Sequence, residues 1–191
     1  MFGIAFLLVA SIASAGVLNY YGKIEGTASV QGPIFYADLT TNGETVGKLL
    51  LNTKPSDNYT TTFKDRSSVL FWTDNLGGID FNYIPKCNFS VKVSSNTNSK
   101  VELICEYYDT AGNTYEICNV SVDTTPTSET KTASCSGNSQ LSSVNYIIYE
   151  IKGTETPETT YTIETNAEGD TRFQLDKVNP EISIPGPVVS K

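Results

Sequence analysis

Four cysteines, at positions 87, 105, 118 and 135, are the side chains of this 191-residue sequence best suited to chemistry. A thiol can form a bridge, ligate a metal or act as a nucleophile, and the rest of the composition decides among these. The sequence contains no histidine, which removes Ser-His-Asp and Cys-His catalysis and most transition-metal sites. No two cysteines stand in a CxxC spacing, so zinc is not expected. Disulfides formed in an oxidising compartment are the expected use. Four cysteines allow three connectivities. The expected one joins Cys87 to Cys105 and Cys118 to Cys135, with buried free thiols as the alternative.

Carboxylates offer a second chemistry. Two of them can drive glycoside hydrolysis, and Glu102, Glu106 and Glu116 fall on the solvent side of neighbouring extended segments. A row of acids there reads as a solvated surface, so no catalytic residue and no enzymatic activity are expected. Asp109-Thr-Ala-Gly-Asn113 with Glu116, and Glu168-Gly-Asp170, gather the oxygen ligands that calcium takes. Neither has the EF-hand spacing, and turns favour Asp, Asn and Gly for backbone reasons alone. No metal and no cofactor are expected. Tyr107, Tyr108 and Tyr115 would suit sugar stacking, but Tyr107 shares the cysteines' parity.

The elements that position these residues are legible from alternation. Successive side chains of a strand point to opposite faces. Cys87, Phe89, Val91 and Val93 alternate with Asn88, Ser90 and Lys92; Val101, Leu103, Cys105 and Tyr107 alternate with Glu102 and Glu106, Ile104 being the exception. Cys118, Val120 and Val122 alternate with Asn119, Ser121 and Asp123. Turn-rich segments 94–100 and 109–113 separate these runs, which predicts three strands joined by hairpins. Folded about those turns, Cys105 lies opposite both Cys87 and Cys118, and a further reversal at 124–130 brings Cys135 opposite Cys118. All four sulfurs are thus expected at one level on the inner face.

Elsewhere, segments 34–39, 48–52, 69–73, 144–151, 159–165 and 171–176 read as strands and 59–63 as a short strand or an extended loop, with Trp72 as a core residue. Residues 23–31 form the cleanest amphipathic strand, with Ile24, Gly26, Ala28 and Val30 on one side. About ten short strands with frequent turns indicate an all-β fold, a single jelly-roll-like β-sandwich stabilised by disulfides. The expected organisation is a signal peptide over 1–15, an N-terminal strand over 16–32, the sandwich over 33–178 and a proline-rich tail over 179–191.

Residues 1–15 are apolar and end Ala13-Ser14-Ala15, the pattern of a cleaved secretory signal. An uncleaved anchor reaching Leu18 is the competing reading, so membrane contact is expected only through this segment. Asn58, Asn88 and Asn119 each open an Asn-x-Ser/Thr glycosylation triplet. Leader, cysteines and sequons together predict an extracellular, cell-surface location. A net charge of −8 without a basic run argues against nucleic acid as a partner.

The N-terminal run Gly16-Val-Leu-Asn-Tyr20-Tyr21-Gly-Lys-Ile-Glu25, followed by Phe35-Tyr36-Ala37, a glycine turn and Lys48-Leu49-Leu50-Leu51, resembles the start of the TasA/camelysin-type biofilm fibre proteins and related archaeal bundling pilins. The resemblance covers about the first quarter of the chain. It implies a jelly-roll subunit that polymerises head to tail, with Ile24, Gly26, Ala28 and Val30 inserted into the neighbouring subunit as a donor strand. A homopolymeric extracellular filament is therefore the leading expectation. The other is a monomeric surface module that binds glycan or protein.

Overall fold

Apolar–polar alternation runs through most segments between turns, and among the described residues such segments form strands. The computed structural model describes residues 32–154 and 158–177. The donor-strand candidates Ile24, Gly26, Ala28 and Val30, the leader 1–15 and the tail 179–191 lie outside the described residues. Those described form twelve strands. These are β1 (Ile34–Asp38), β2 (Val46–Leu51), β3 (Tyr59–Lys64), β4 (Ser68–Trp72), β5 (Ile79–Phe81) and β6 (Pro85–Ser95). They continue with β7 (Ser99–Asp109), β8 (Thr114–Thr124), β9 (Glu129–Ser136), β10 (Leu141–Gly153), β11 (Thr160–Thr165) and β12 (Arg172–Lys177).

One layer runs β9–β6–β12–β1, with β11 and β3 continuing it beyond β12 along the same edge of β6. The other runs β2–β4–β10–β7–β8, with β5 beside β10. Strand β2 pairs antiparallel with β1 and parallel with β4, so it carries the ladder from one layer to the other. On the opposite side β8 and β9 are edges of different layers, and the disulfide Cys118–Cys135 spans them with a Cα–Cα distance of 5.8 Å. The molecule is a jelly-roll-like β-sandwich, closed by hydrogen bonds on one side and by sulfur on the other.

The core lies between the layers. Phe89 and Phe173 of one layer meet Tyr149 and Phe71 of the other, with ring centroids 5.3 Å apart for Phe89–Tyr149 and 5.9 Å for Tyr149–Phe173. All four rings are buried, and Val91, Val93, Val101, Leu103 and Ile151 fill the space around them. These large rings from both layers meet at the centre of the core and bury a large share of aromatic surface.

Two expectations are corrected. The segment between β6 and β7 is not a hairpin turn: β6 takes its partners from β9, β11 and β12, while β7 takes its from β8 and β10. Both strands bury their odd-numbered residues, and they do so against each other across the sandwich, so the chain must cross between layers. Side-chain bonds hold that crossover: Ser95 Oγ donates to Thr124 Oγ1 (2.8 Å), and Asn96 Oδ1 accepts from the Thr160 amide (2.9 Å). Cys87 consequently faces Cys135 in its own sheet rather than Cys105. The second correction is Trp72, which points outward and is only half-buried, because its parity in β4 is opposite to that of the buried Val69 and Phe71.

Candidate functional site

The four cysteines form a square. Cys105 opposes Cys118 across β7 and β8, and Cys87 opposes Cys135 across β6 and β9. Between layers, Cys118 is bonded to Cys135, while Cys87 and Cys105 are neighbouring buried thiols. The expected common level of the sulfurs is present, but the expected Cys87–Cys105 bridge is not. Burial first, and the neighbouring Cys87 second, push the Cys105 thiol well above its ordinary range. It is therefore protonated and unreactive at neutral pH.

The outward faces of the two layers differ in chemistry. On β4–β10–β7, Trp72, Tyr108 and Tyr146 pack on one another, with centroids 5.8–6.2 Å apart and interplanar angles of 57–73°. Beside them Ile148 and Ile104 are buried, at 2% and 5% exposure, although both point away from the main core. This explains Ile104, which breaks the alternation of β7. Glu106 and Glu116 are register partners on the same face. Burial, then Glu150, then Glu116 raise the Glu106 carboxyl above its usual range. Glu102 shares that face but lies opposite Lys152.

The outward face of β9–β6–β12 carries a hollow of about 390 Å³ lined by Asn88, Ser90, Thr132, Ser134, Arg172 and Gln174 over the backbone of Phe89 and Ala133. Strand register sets these side chains in two rows. One runs Thr132–Ser90–Arg172–Tyr36 and the other Ser134–Asn88–Gln174–Ile34. Asp176 beside the second row accepts from Asn88 Nδ2 (2.6 Å), Gln174 Nε2 (2.9 Å) and the Gly32 amide (2.6 Å). That carboxylate holds both amide nitrogens, and Asn88 Oδ1 and Gln174 Oε1 accept no hydrogen bond among the described residues. Ser90 Oγ donates to the Asp170 carbonyl (2.7 Å), and Arg172 Nη1 donates to the Gly169 carbonyl (3.0 Å). Gly169 has φ +74°, and a Cβ there would lie 2.5 Å from the Tyr36 ring. Only glycine lets Tyr36 and Arg172 close this end of the row.

A second hollow of about 420 Å³ lies on the same side of the molecule, lined by Asn58, Thr60, Lys92, Glu164, Asn166 and Asp170 among others. Its cation is engaged by two of its three acids. Lys92 pairs with Glu164 (3.2 Å) and Asp170 (3.7 Å), and the bond to Glu164 raises its ammonium above the ordinary range.

The other sequence candidates are accounted for by local bonding. Asp109 Oδ1 accepts from the Ala111 and Asn113 amides, which closes the β7–β8 turn. Asn166 and Asp170 bond each other around Gly169. Among the described residues no group of three metal-ligating side chains forms. Tyr107 stacks on Tyr115 at 5.1 Å, apart from the Trp72 cluster. Of the sequon asparagines, Asn58 and Asn119 are exposed and Asn88 is half-buried in the groove. The groove itself escaped sequence reading. Its side chains are ordinary outward polar residues of three strands, and only the lateral order β9–β6–β12 aligns them.

No protein-family model and no curated protein matches the chain. Solved structures do. An aminopeptidase from a marine-sediment Thaumarchaeota archaeon superposes with a TM-score of 0.59 at 7% identity, over 81% of this chain and 38% of that one. A CocE/NonD family hydrolase from Staphylococcus aureus gives a TM-score of 0.55 at 11% identity, over 82% of this chain and 38% of that one. The chain therefore spans under two fifths of the hydrolases it matches, and at these identities the likeness is one of fold.

Proposed function

We propose that this chain is an extracellular, non-catalytic β-sandwich module that binds glycan through the groove on β9–β6–β12. The observation that carries this reading is the pair of in-register rows: hydroxyl, amide and guanidinium groups set side by side across three strands. Neighbouring strands lie about 4.8 Å apart, a spacing of the order of one sugar ring, so successive rings meet successive donors and acceptors. Asn88 and Gln174 offer fixed carbonyl acceptors to sugar hydroxyls, while Thr132, Ser134 and Arg172 offer donors. The leader and the Cys118–Cys135 bridge support secretion. The lack of histidine supports recognition over turnover.

The test is a glycan array probed with the full chain and with Ser134→Trp, which fills the groove from an exposed position. Retention of defined glycans, lost in the variant at an unchanged melting temperature, is the expected result. An array without a single retained glycan, or equal retention by the variant, overturns the reading. Negative-stain microscopy of the same preparation, with and without residues 16–31, addresses the filament expectation. Polymers that disappear on truncation would make the chain a donor-strand subunit instead.

A further inference from the structure

We infer that the glycan bound by this groove is acidic, a uronate-containing polysaccharide whose carboxylate docks on Arg172. The inference rests on the glycan reading above and adds the ligand's charge to it. Among the described residues that line the groove, Arg172 alone carries a charge. Of the acids nearby, Asp170 and Glu164 pair with Lys92, while Asp176 keeps its charge and is hydrogen-bonded by the neutral Asn88, Gln174 and Gly32. No ion pair to Arg172 forms among the described residues, where it donates a hydrogen bond to the neutral Gly169 carbonyl.

A guanidinium has five N–H donors in a planar fork that matches a carboxylate with two parallel bonds. The Gly169 bond uses Nη1 and leaves the other guanidinium N–H groups for a ligand, in register with Ser90 and Tyr36. Neutral sugar hydroxyls would be served by the Asn, Gln, Ser and Thr groups of the two rows, and they do not need a charge. An arginine left exposed in a chain of net charge −8, where carboxylates abound, is placed for an anion from outside. The chain-wide negative charge, screened beyond about 8 Å at physiological salt, and Asp176 beside the second row oppose such a ligand, and the two-bond fork of Arg172 in direct contact offsets them.

The test is calorimetric titration of the full chain with oligogalacturonate, oligomannuronate and oligoglucuronate, their methyl esters, and neutral gluco-, galacto- and manno-oligosaccharides. Esterification removes the charge while keeping the sugar. The expected result is that one free acid binds at least about tenfold more tightly than its ester. Arg172→Gln should abolish that advantage and Arg172→Lys should retain part of it, with melting temperatures unchanged in both. Equal affinity for acid and ester, or an acid preference that survives in Arg172→Gln, overturns the inference. Binding of neutral sugars alone, lost in Ser134→Trp, would overturn it while leaving the glycan reading intact. Failure of every oligosaccharide to bind would overturn both.

Discussion

The two outward faces of the sandwich divide its labour in a way that composition alone would have reversed. The β4–β10–β7 face carries Trp72, Tyr108 and Tyr146, the residue types usually associated with sugar platforms. Those rings, however, are spent on one another at about 6 Å, beside Ile148 and Ile104, which would otherwise be exposed apolar groups. The β9–β6–β12 face has no aromatic platform, but its polar groups are aligned and partly uncommitted. Availability matters more than residue type: a group already satisfied within the fold has little left for a ligand.

The largest expected effect tests whether the two faces belong to one cooperative unit. The Cys118–Cys135 bridge closes a loop of sequence separation 17 on the side where the ladder is open. Chain-entropy arguments give about 3 kcal/mol for a loop of this size. Replacing both cysteines by alanine should lower the unfolding free energy by about that amount, and both faces should still melt in one transition. Separate transitions reported by Trp72 fluorescence and by far-UV dichroism would show that the layers are independent. Thiol titration of the unfolded, unreduced protein should find the two thiols of Cys87 and Cys105, and in the native state their burial should keep them from alkylation. A titration that finds none would show a second bridge.

Next in size is the aromatic face. Trp72→Ala should destabilise by about 2–3 kcal/mol, at the low end of large-to-small core changes because Trp72 is half-buried. It should leave glycan affinity unchanged, the mirror image of Ser134→Trp. Loss of affinity without loss of stability, measured by calorimetry beside urea unfolding, would exchange the roles assigned to the two faces.

Parity made most of the fold legible in the sequence. Cys87, Phe89, Val91 and Val93 announce their own inner face, and so do Cys105 and Cys118. What parity does not encode is which sheet an inner face belongs to. The run from Cys87 to Cys135 reads as one meander, whereas the buried Ser95–Thr124 bond accompanies a crossover that no local spacing signals. The same gap hid the groove, since Asn88, Thr132 and Arg172 come from strands 40 or more positions apart along the chain. Trp72 departs from expectation for a different reason: a large apolar residue reads as core, and the parity of a five-residue strand is a weak signal against that expectation.

Between the faces, Tyr149 offers a smaller and cleaner test. Its ring is central to the core, touching Phe71, Phe89 and Phe173, and its hydroxyl is buried without a hydrogen-bond partner. Burial alone drives its pKa far above the ordinary phenol value, so the hydroxyl stays neutral at any working pH. Removing an orphaned hydroxyl recovers part of its desolvation cost. Tyr149→Phe should therefore raise the unfolding free energy by about 1 kcal/mol and leave both faces as they are. A destabilised variant in chemical denaturation would mean that the hydroxyl has a partner, and that the packing between the two faces is wetter than the rings suggest.

The smallest effect is a pH dependence confined to the aromatic face. Burial, then Glu150 and Glu116, raise the folded-state pKa of Glu106 above the unfolded value near 4.5. The folded protein thus binds the proton more tightly than the unfolded chain, and the contribution to stability is full below the unfolded pKa. It is lost as pH rises through the folded one. At neutral pH the wild type carries the ionised, partly desolvated carboxylate, which Glu106→Gln removes. The variant should accordingly melt higher than wild type at pH 7 and show no such advantage at pH 4. Glu102→Gln, on the same face beside Lys152, should show no comparable pH-dependent gain. If the two variants behaved alike, the shift would come from the general acidity of the chain and not from the packing around Ile148 and Ile104, and the aromatic face would lose its claim to be a second, outward-facing core.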